Sequence, residues 1–595
     1  MSYKAPLQDL LFNIEHLARI DQIAAIPGFE DAGLETAQAV LEECARFNEG
    51  VLAPLNFEAD KAPSSHSGTS VTTSAGFKEA YKQYTEGGWQ GLQHPADFGG
   101  QGLPKTIGAA CGEILNSANM SFALCPLLTD GAIEALLTAG SDALKATYLD
   151  KLVSGQWTGT MNLTEPQAGS DLAAVRTRAE PQPDGTYRVF GTKIFITYGE
   201  HDMADNIVHL VLARVQGAPE GVKGISLFVV PKFMVNADGG PGERNDVYCV
   251  SIEHKMGIKA SPTAVLQFGD HGGAVGYLVG EENRGLEYMF IMMNAARYAV
   301  GVQGIAIAER AYQKAVQYAS ERVQSRPVDG SVAGAATIIH HPDVRRMLMT
   351  MRALTEGCRA MASTAAAAYD AAHHHPDAEA RRQNQTFYEF LVPLVKGYST
   401  ETSLEVTNLG VQVHGGMGFI EETGAAQYMR DARIIPIYEG TNGIQAIDLA
   451  LRKLPTNGGE TMRAEIRDMR GVIDELRAIN HTSFGASAQR FGEALDSFER
   501  ATDYMLKAVG AAPQEALAGA TAYLRMFGLA FGGVGLVRTA LAAHKAGDGD
   551  AANSARVGVM RFFAEQVIPA MPGLETTVTQ GAGAVLSAAD AAIGA

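Results

Sequence analysis

The means to build disulfides or a zinc site are the first thing this sequence lacks. Its 595 residues hold five cysteines, Cys44, Cys111, Cys125, Cys249 and Cys358, an odd number with no CxxC pair. Reduced, buried thiols in a cytoplasmic protein are the expectation. Positive charge is scarce: 48 Lys and Arg face 66 Asp and Glu, a formal net charge of −18. That excludes generic binding to nucleic acid or anionic membrane, and any polyanionic ligand has to be met by local basic groups. Long apolar runs are missing as well. The N-terminal MSYKAPLQDLLFNIEHL is broken by Asp9, Asn13 and Glu15, unlike a signal peptide. MFGLAFGGVGLV (526–537) stops at Arg538, too short to cross a bilayer, so no membrane insertion is expected. There is no serine nucleophile elbow, Walker loop or HExxH pattern. HHHP (373–376) and HH (340–341) have no Cys or carboxylate at metal-ligand spacing, so no metal is expected.

Hydrophobic residues make up 46% of the chain and charged residues 19%, a soluble globular composition, and the length calls for three or four domains. Up to residue 160 the pattern is helical. DAGLETAQAVLEECARFNEGVLAPL places Leu34, Ala37, Val40, Leu41 and Cys44 at three- and four-residue spacing. From 161 to 285 short β-rich runs (TYRVFG, KIFIT, NIVHLVLARV, GISLFVVP, TAVLQF, GYLVG) alternate with Gly, Pro, Asp and Asn, which predicts a small antiparallel barrel or sandwich. Long helices return over 286–455. After the Pro/Gly linker KLPTNGGE (453–460), an Ala- and Leu-rich helical module occupies 460–595. The expected class is α+β, in the order N-terminal α-helical domain with an arm, β-domain, helical bundle, extra helical module.

Three segments combine small residues with polar groups. MNLTEPQAGSDL (161–172) has Gly169 and Ser170 after a proline stop, with Thr164 and Ser170 as hydroxyl donors. Free backbone N–H groups there suit phosphate oxygens, although a turn with an N-cap at Ser170 or Asp171 explains the composition equally. In KIFITYGE (193–200) a strand presents Phe195 and Thr197 on one face, either as plain core or as a ring beside a planar ligand. VQVHGGMGFIEE (411–422) brings Gly415, Gly416 and Gly418 close together but lacks the strand–GxGxxG–helix context of a dinucleotide site. Gly532, Gly533 and Gly535 fail that pattern too and predict close helix packing. The remaining candidate for chemistry is Glu439 in PIYEGTNGIQ (436–445), the lone carboxylate between an apolar run and small polar residues.

Taken in order, NLTEPQAGSD, KIFIT, HKMGIKASPTAVLQF, QVHGGMGF and MRDARIIPIYEGT resemble the acyl-CoA dehydrogenase family over about residues 35–455. The resemblance implies an α-helical domain, a central β-domain and a four-helix bundle, with FAD as cofactor. It implies that Glu439 removes the α-proton of an acyl-CoA thioester while the β-hydrogen leaves as hydride to the flavin, giving a trans-2-enoyl-CoA. A carboxylate in a dry apolar pocket gains basicity. The backbone N–H of Glu439 is implied as part of the thioester oxyanion contact. FAD contacts carry over to Leu163, Thr164, Gly169, Ser170, Phe195 (usually Trp), Thr197 and Thr441. Arg322, Gln412, Gly415 and Gly416 match positions that complete the FAD site of a neighbouring subunit, which implies a homodimer or dimer of dimers. Ser170, Arg297 and Gly440 carry over as substrate contacts, although NAAR (294–297) replaces the family's DxTR-like stretch. The arm and the module after 460 resemble a long subgroup acting on 3-(methylthio)propanoyl-CoA; another short- to medium-chain acyl-CoA, a longer-chain substrate or an oxidase using O2 are the alternatives. Electron-transfer flavoprotein is the implied acceptor.

Overall fold

A strand with apolar residues on both faces needs cover on both sides, and NIVHLVLARV is such a strand. In the computed structural model it runs from Asn206 to Val215 inside a sheet. Val208, Leu210 and Leu212 belong to one apolar cluster, with Leu136, Leu149, Trp157 and Met289. Val211, Ala213 and Val215 belong to another, with Phe228, Leu266 and Phe268. The period-two alternation of the strand thus divides its side chains between two cores. The residues described are 3–547, 549–588 and 590–594; residues 1 and 595, the outer limits of the first and last expected domains, lie outside them.

The sheet contains β1 (Trp157–Asn162), β2 (Arg178–Pro181), β3 (Tyr187–Thr197), β4 (Asn206–Val215), β5 (Ile225–Pro231), β6 (Val247–Ile252), β7 (Thr263–Phe268) and β8 (Ala274–Val279). Its order is β6-β7-β3-β8-β5-β4-β1, with β2 beside β3 and β4. One expectation needs correction: the sheet is mixed, because β1 and β2 each run parallel to β4. The β2–β3 pair intervenes between β1 and β4 in the chain, and a connection of that length permits parallel pairing where a tight hairpin does not.

By internal contacts the chain forms two units, one of Phe47–Leu103 with Ala118–Ala299, the other of Met1–Arg46, Pro104–Ser117 and Val300–Ala595. The first holds the sheet. The second is helical and includes α3 (Pro342–His374), α4 (Ala378–His414), α5 (Asn442–Asp448) and α6 (Pro513–Ala546). Besides Leu34–Phe47, whose last residue alone falls in the other unit, two long helices have residues in both units, α1 (Lys105–Ala139) and α2 (Gly285–Glu321). The first is kinked at Asn119 (φ −158°, ψ 92°), whose side-chain Oδ1 accepts from Phe122 N at 3.1 Å and restarts the helix as an N-cap. The stretch 453–460 is no extended linker but two tight turns, with Asn457 and Gly458 at positive φ, before a helix at Glu460. The five cysteines are free and buried, in line with expectation.

MFGLAFGGVGLV lies within α6, 34 residues long, so it does not end where the sequence suggested. Lys105–Ala139, Gly285–Glu321 and α6 are long and apolar enough to cross a membrane by length and composition, and their apolar windows are 83%, 72% and 83% buried within the protein. For α6 the cover comes from close helix approach. A Cβ on Gly532 would stand 3.1 Å from the Gly357 carbonyl oxygen, one on Gly535 2.7 Å from Ala360 Cβ, and one on Gly528 2.1 Å from the Tyr398 ring. The module after residue 460 is therefore built against the bundle through glycines, as the sequence predicted. Beside it, Arg359 donates to Glu113 at 2.6 Å and to Glu309 at 2.8 Å, all three buried, tying three helices of the unit with one cation.

Gly528→Ala should lower thermal stability by an amount corresponding to about 1–3 kcal/mol, the typical cost of overpacking. Gly471→Ala, on an exposed helical face with open space around it, should raise it by roughly 0.5–1 kcal/mol through helix propensity. Calorimetry on both variants measures the contrast.

Candidate active site

In the sheet unit the polar loop after β1 is fixed by a buried ion pair. Glu165 and Lys193 are 4% and 0% exposed, with Nζ 2.9 Å from Oε1. Glu165 also accepts from Thr177 Oγ1 at 2.6 Å and from the backbone N–H groups of Thr177 and Arg176 at 3.0 and 2.8 Å. Burial pushes its carboxyl up, but Lys193 and these donors hold it down at about 2. Burial pulls Lys193 down to about 8 against the pull of Glu165. Lys193 Nζ donates in addition to Leu163 O at 2.9 Å, and Ile194 N to Thr164 O at 2.9 Å. The 163–164 loop is thereby locked beside the end of β3.

At that end β3 is irregular. Ile196 lies opposite Ala264 and Lys193 opposite Leu266, so β3 carries one residue more than β7 across this step. The bulge falls at Phe195, whose φ is 59°. A bulge re-aims a side chain, and here the Phe195 ring is 58% exposed although its neighbours Lys193 and Ile196 are buried. Ser170 is not the cap of the next turn. Asp171 takes that place, accepting from Ala173 N at 3.0 Å. The hydroxyls of Thr164, Ser170 and Thr197 make no hydrogen bond among the described residues. Gly169 is exposed with no atom within 4 Å of an added Cβ. An exposed aromatic face, three uncommitted hydroxyls and an open glycine fit a flat ring with polar edges and a phosphate tail. Arg297 is 8% exposed, on the helix Gly285–Glu321.

In the helical unit Glu439 and Gly440 are consecutive left-handed residues, φ 58° and 84°. Asn442 N donates to Pro436 O at 2.9 Å and closes the loop. Thr441 caps α5 by accepting from Ile444 N at 3.3 Å. Tyr438 OH donates to Gln303. Lys396, fully buried on α4, donates to Gly440 O at 2.8 Å and Asn442 Oδ1 at 3.0 Å. Glu439 itself is half-buried. Elsewhere in this unit Arg322 is exposed and its guanidinium has no ion-pair or hydrogen-bond partner among the described residues. Gln412 is exposed near the end of α4, followed by Gly415 (φ 58°) and Gly416, both with open space at Cβ. The site residues read from the sequence thus form two groups, one in each unit.

Domain families described as acyl-CoA dehydrogenase, N-terminal, middle and C-terminal domains match residues 35–156, 160–271 and 283–454, and acetyl-CoA dehydrogenase C-terminal like matches 462–589. A 3-methylmercaptopropionyl-CoA dehydrogenase of Ruegeria pomeroyi is 52% identical over 99% of this chain and 100% of its own length. This chain belongs to the acyl-CoA dehydrogenase family. A broad-specificity linear acyl-CoA dehydrogenase, FadE5, of Mycobacterium tuberculosis is 38% identical over 77% of this chain and 76% of its own. An acyl-CoA dehydrogenase from Bacillus anthracis, solved in complex with FAD, shares the fold with a TM-score of 0.73 at 22% identity, over 96% of this chain and 92% of that one.

Sequence reasoning missed Glu165, Lys193, Lys396 and Asn442 as parts of the site's support. The available signal was a lone lysine inside an apolar stretch, in TKIFIT and in FLVPLVKGY, since a lysine is buried only when paired. Lys193→Met strands the Glu165 carboxyl and should cost about 3–5 kcal/mol. Its FAD content, read as the ratio of flavin to protein absorbance, should fall with it. Retention of full flavin and an unchanged melting temperature would show that the pair does not support the loop.

Proposed function

We propose that this chain is an FAD-dependent enzyme that removes the α-proton and β-hydride of an acyl-CoA thioester, with Glu439 as the base and the trans-2-enoyl-CoA as product. The observation that carries the reading is the Glu439–Gly440 turn, a carboxylate on a left-handed backbone whose following carbonyl is held from behind by a buried lysine. A non-glycine residue in that region stores strain of about 1–3 kcal/mol, and such strain concentrates at functional positions.

Glu439 abstracts the α-proton, which the thioester carbonyl acidifies, and its backbone N–H stabilises the oxygen that gains charge. FAD, when bound, supplies the acceptor for the β-hydride. Phe195 offers its exposed ring to the flat face of the cofactor, while Leu163, Thr164 and Thr197 serve the polar edge. Gly169 and Ser170 hold phosphate, and Thr441 adds a hydroxyl. Arg297 and Gly440 are assigned to the substrate together with Ser170. The uncommitted Arg322 guanidinium and the Gln412–Gly416 stretch serve the cofactor of a second subunit, in a homodimer or dimer of dimers. Met417, Phe419 and Ile420, exposed by 50%, 84% and 45% directly after that stretch, support a subunit contact there.

The substrate we assign is 3-(methylthio)propanoyl-CoA or another short- to medium-chain acyl-CoA, on the strength of the Ruegeria relative that matches end to end. The helical module of 460–595 covers the bundle and has no chemistry of its own. Electron-transfer flavoprotein is the proposed acceptor and the cytoplasm the proposed location, and the burial of the three long apolar helices within the protein supports the absence of membrane insertion.

Glu439→Gln keeps size and removes the base. Flavin bleaching by substrate without oxygen should slow by about 10²–10⁴-fold, the usual worth of general-base catalysis, with FAD content unchanged. Bleaching at the wild-type rate would place the base elsewhere. Across a panel of acyl-CoA thioesters with an artificial acceptor, kcat/KM should peak at the short thioether substrate and fall for long chains; a maximum at long chains, or peroxide formed stoichiometrically in air, would select one of the alternatives.

A further inference from the structure

The turn that carries Glu439 has its carbonyls committed on one side. Gly440 O accepts from Lys396 Nζ at 2.8 Å and from Gln445 Nε2 at 3.1 Å, and Glu439 O from Gln445 Nε2 at 3.4 Å. The peptide planes of the described residues are all trans, so the N–H groups of Gly440 and Thr441 point away from these donors. Asn442 joins the same arrangement. Its Oδ1 accepts from Lys396 Nζ at 3.0 Å and Thr400 Oγ1 at 3.1 Å, and its Nδ2 donates to Gly397 O at 3.1 Å and Glu401 Oε2 at 2.9 Å.

A fully buried ammonium persists only where its protons find acceptors. Two such acceptors here belong to the residues immediately after the base. A bond from a cation to a carbonyl is roughly twice as strong as a neutral one, so Lys396 is the principal restraint on a backbone that is unfavourable for glutamate. We infer that Lys396 is a positioning residue for proton abstraction. It acts through the Gly440 carbonyl and the Asn442 side chain to hold Glu439 in register with the α-carbon. It touches neither substrate nor cofactor. The inference rests on the reading of Glu439 as the base.

The test compares Lys396→Met and Lys396→Arg holoenzymes with wild type and with Glu439→Gln. Lys396→Met has similar length and no donor. FAD content should be unchanged and the KM for the acyl-CoA should move by less than about threefold. The flavin-reduction rate per bound flavin should fall by at least about tenfold, because misplacement by about 1 Å costs up to about 10²-fold. Lys396→Arg, which keeps a donor at this place and changes the geometry, should recover part of that rate. A lower melting temperature with the reduction rate per bound flavin within about threefold of wild type overturns the inference, since it leaves Lys396 a purely structural role. If Lys396→Met does not fold, Asn442→Ser, which withdraws one acceptor, has to lower the reduction rate per bound flavin in smaller measure with KM unmoved, and its failure to do so overturns the inference equally. Full activity of Glu439→Gln would instead remove the reading of the base. An inactive Glu439→Gln beside a normal Lys396→Met removes only the role of the lysine.

Discussion

The Glu165–Lys193 pair is the constraint on which the loop after β1 and the irregular end of β3 depend. Two charges buried to 4% and 0% exposure are expensive to take out of water, and they are tolerated because every available oxygen of Glu165 is bonded and Lys193 reaches a second acceptor. That second acceptor is the carbonyl of Leu163. The pair therefore does more than neutralise itself. It welds the loop after β1 to the irregular end of β3, where the bulge turns Phe195 out of the sheet. The exposed Phe195 ring stands at that junction.

The helical unit uses the same device independently. Lys396 is buried beneath a loop and donates to a main-chain carbonyl, that of Gly440, as Lys193 does to Leu163. In both cases a loop too short and too polar to pack is held by an ammonium group set into a regular element, a strand in one unit and α4 in the other. Lysine suits the task because its flexible stem threads apolar packing and its three protons reach more than one acceptor. Main-chain carbonyls are present whatever the loop sequence, so such a restraint leaves the loop side chains free for chemistry.

The module after residue 460 acts on this arrangement through packing. Gly528 gives way to the Tyr398 ring, and Tyr398 lies two residues after Lys396 on α4. Close approach of α6 to α3 and α4 thus fixes the helix that carries Lys396 beneath the Glu439 loop. Interiors packed this tightly transmit displacement, which gives the module after residue 460 a physical connection to the Glu439 loop.

Much of the architecture and part of the site were legible beforehand. Period-two and three-to-four-residue spacings separate the strands of 161–285 from the helices on either side, because burial of one face or stripe is written directly into residue order. Glu439 stood out by its setting, a lone carboxylate between an apolar run and small polar residues, whereas Phe195, Gly440 and the glycine-rich loop became candidates through the resemblance to the family. The parallel pairing of β1 with β4, the bulge at Phe195 and the partners of Lys193 and Lys396 could not be found. Each depends on which distant backbone groups meet, over separations such as 28 residues for Glu165 with Lys193 and 44 for Lys396 with Gly440, and no local pattern encodes such a meeting. The sequence by itself determined where the strands and helices lie and which segments between them combine small residues with polar groups. The tertiary structure alone decided how those segments are held, because an unpaired charge cannot stay buried and its partner is chosen by the fold.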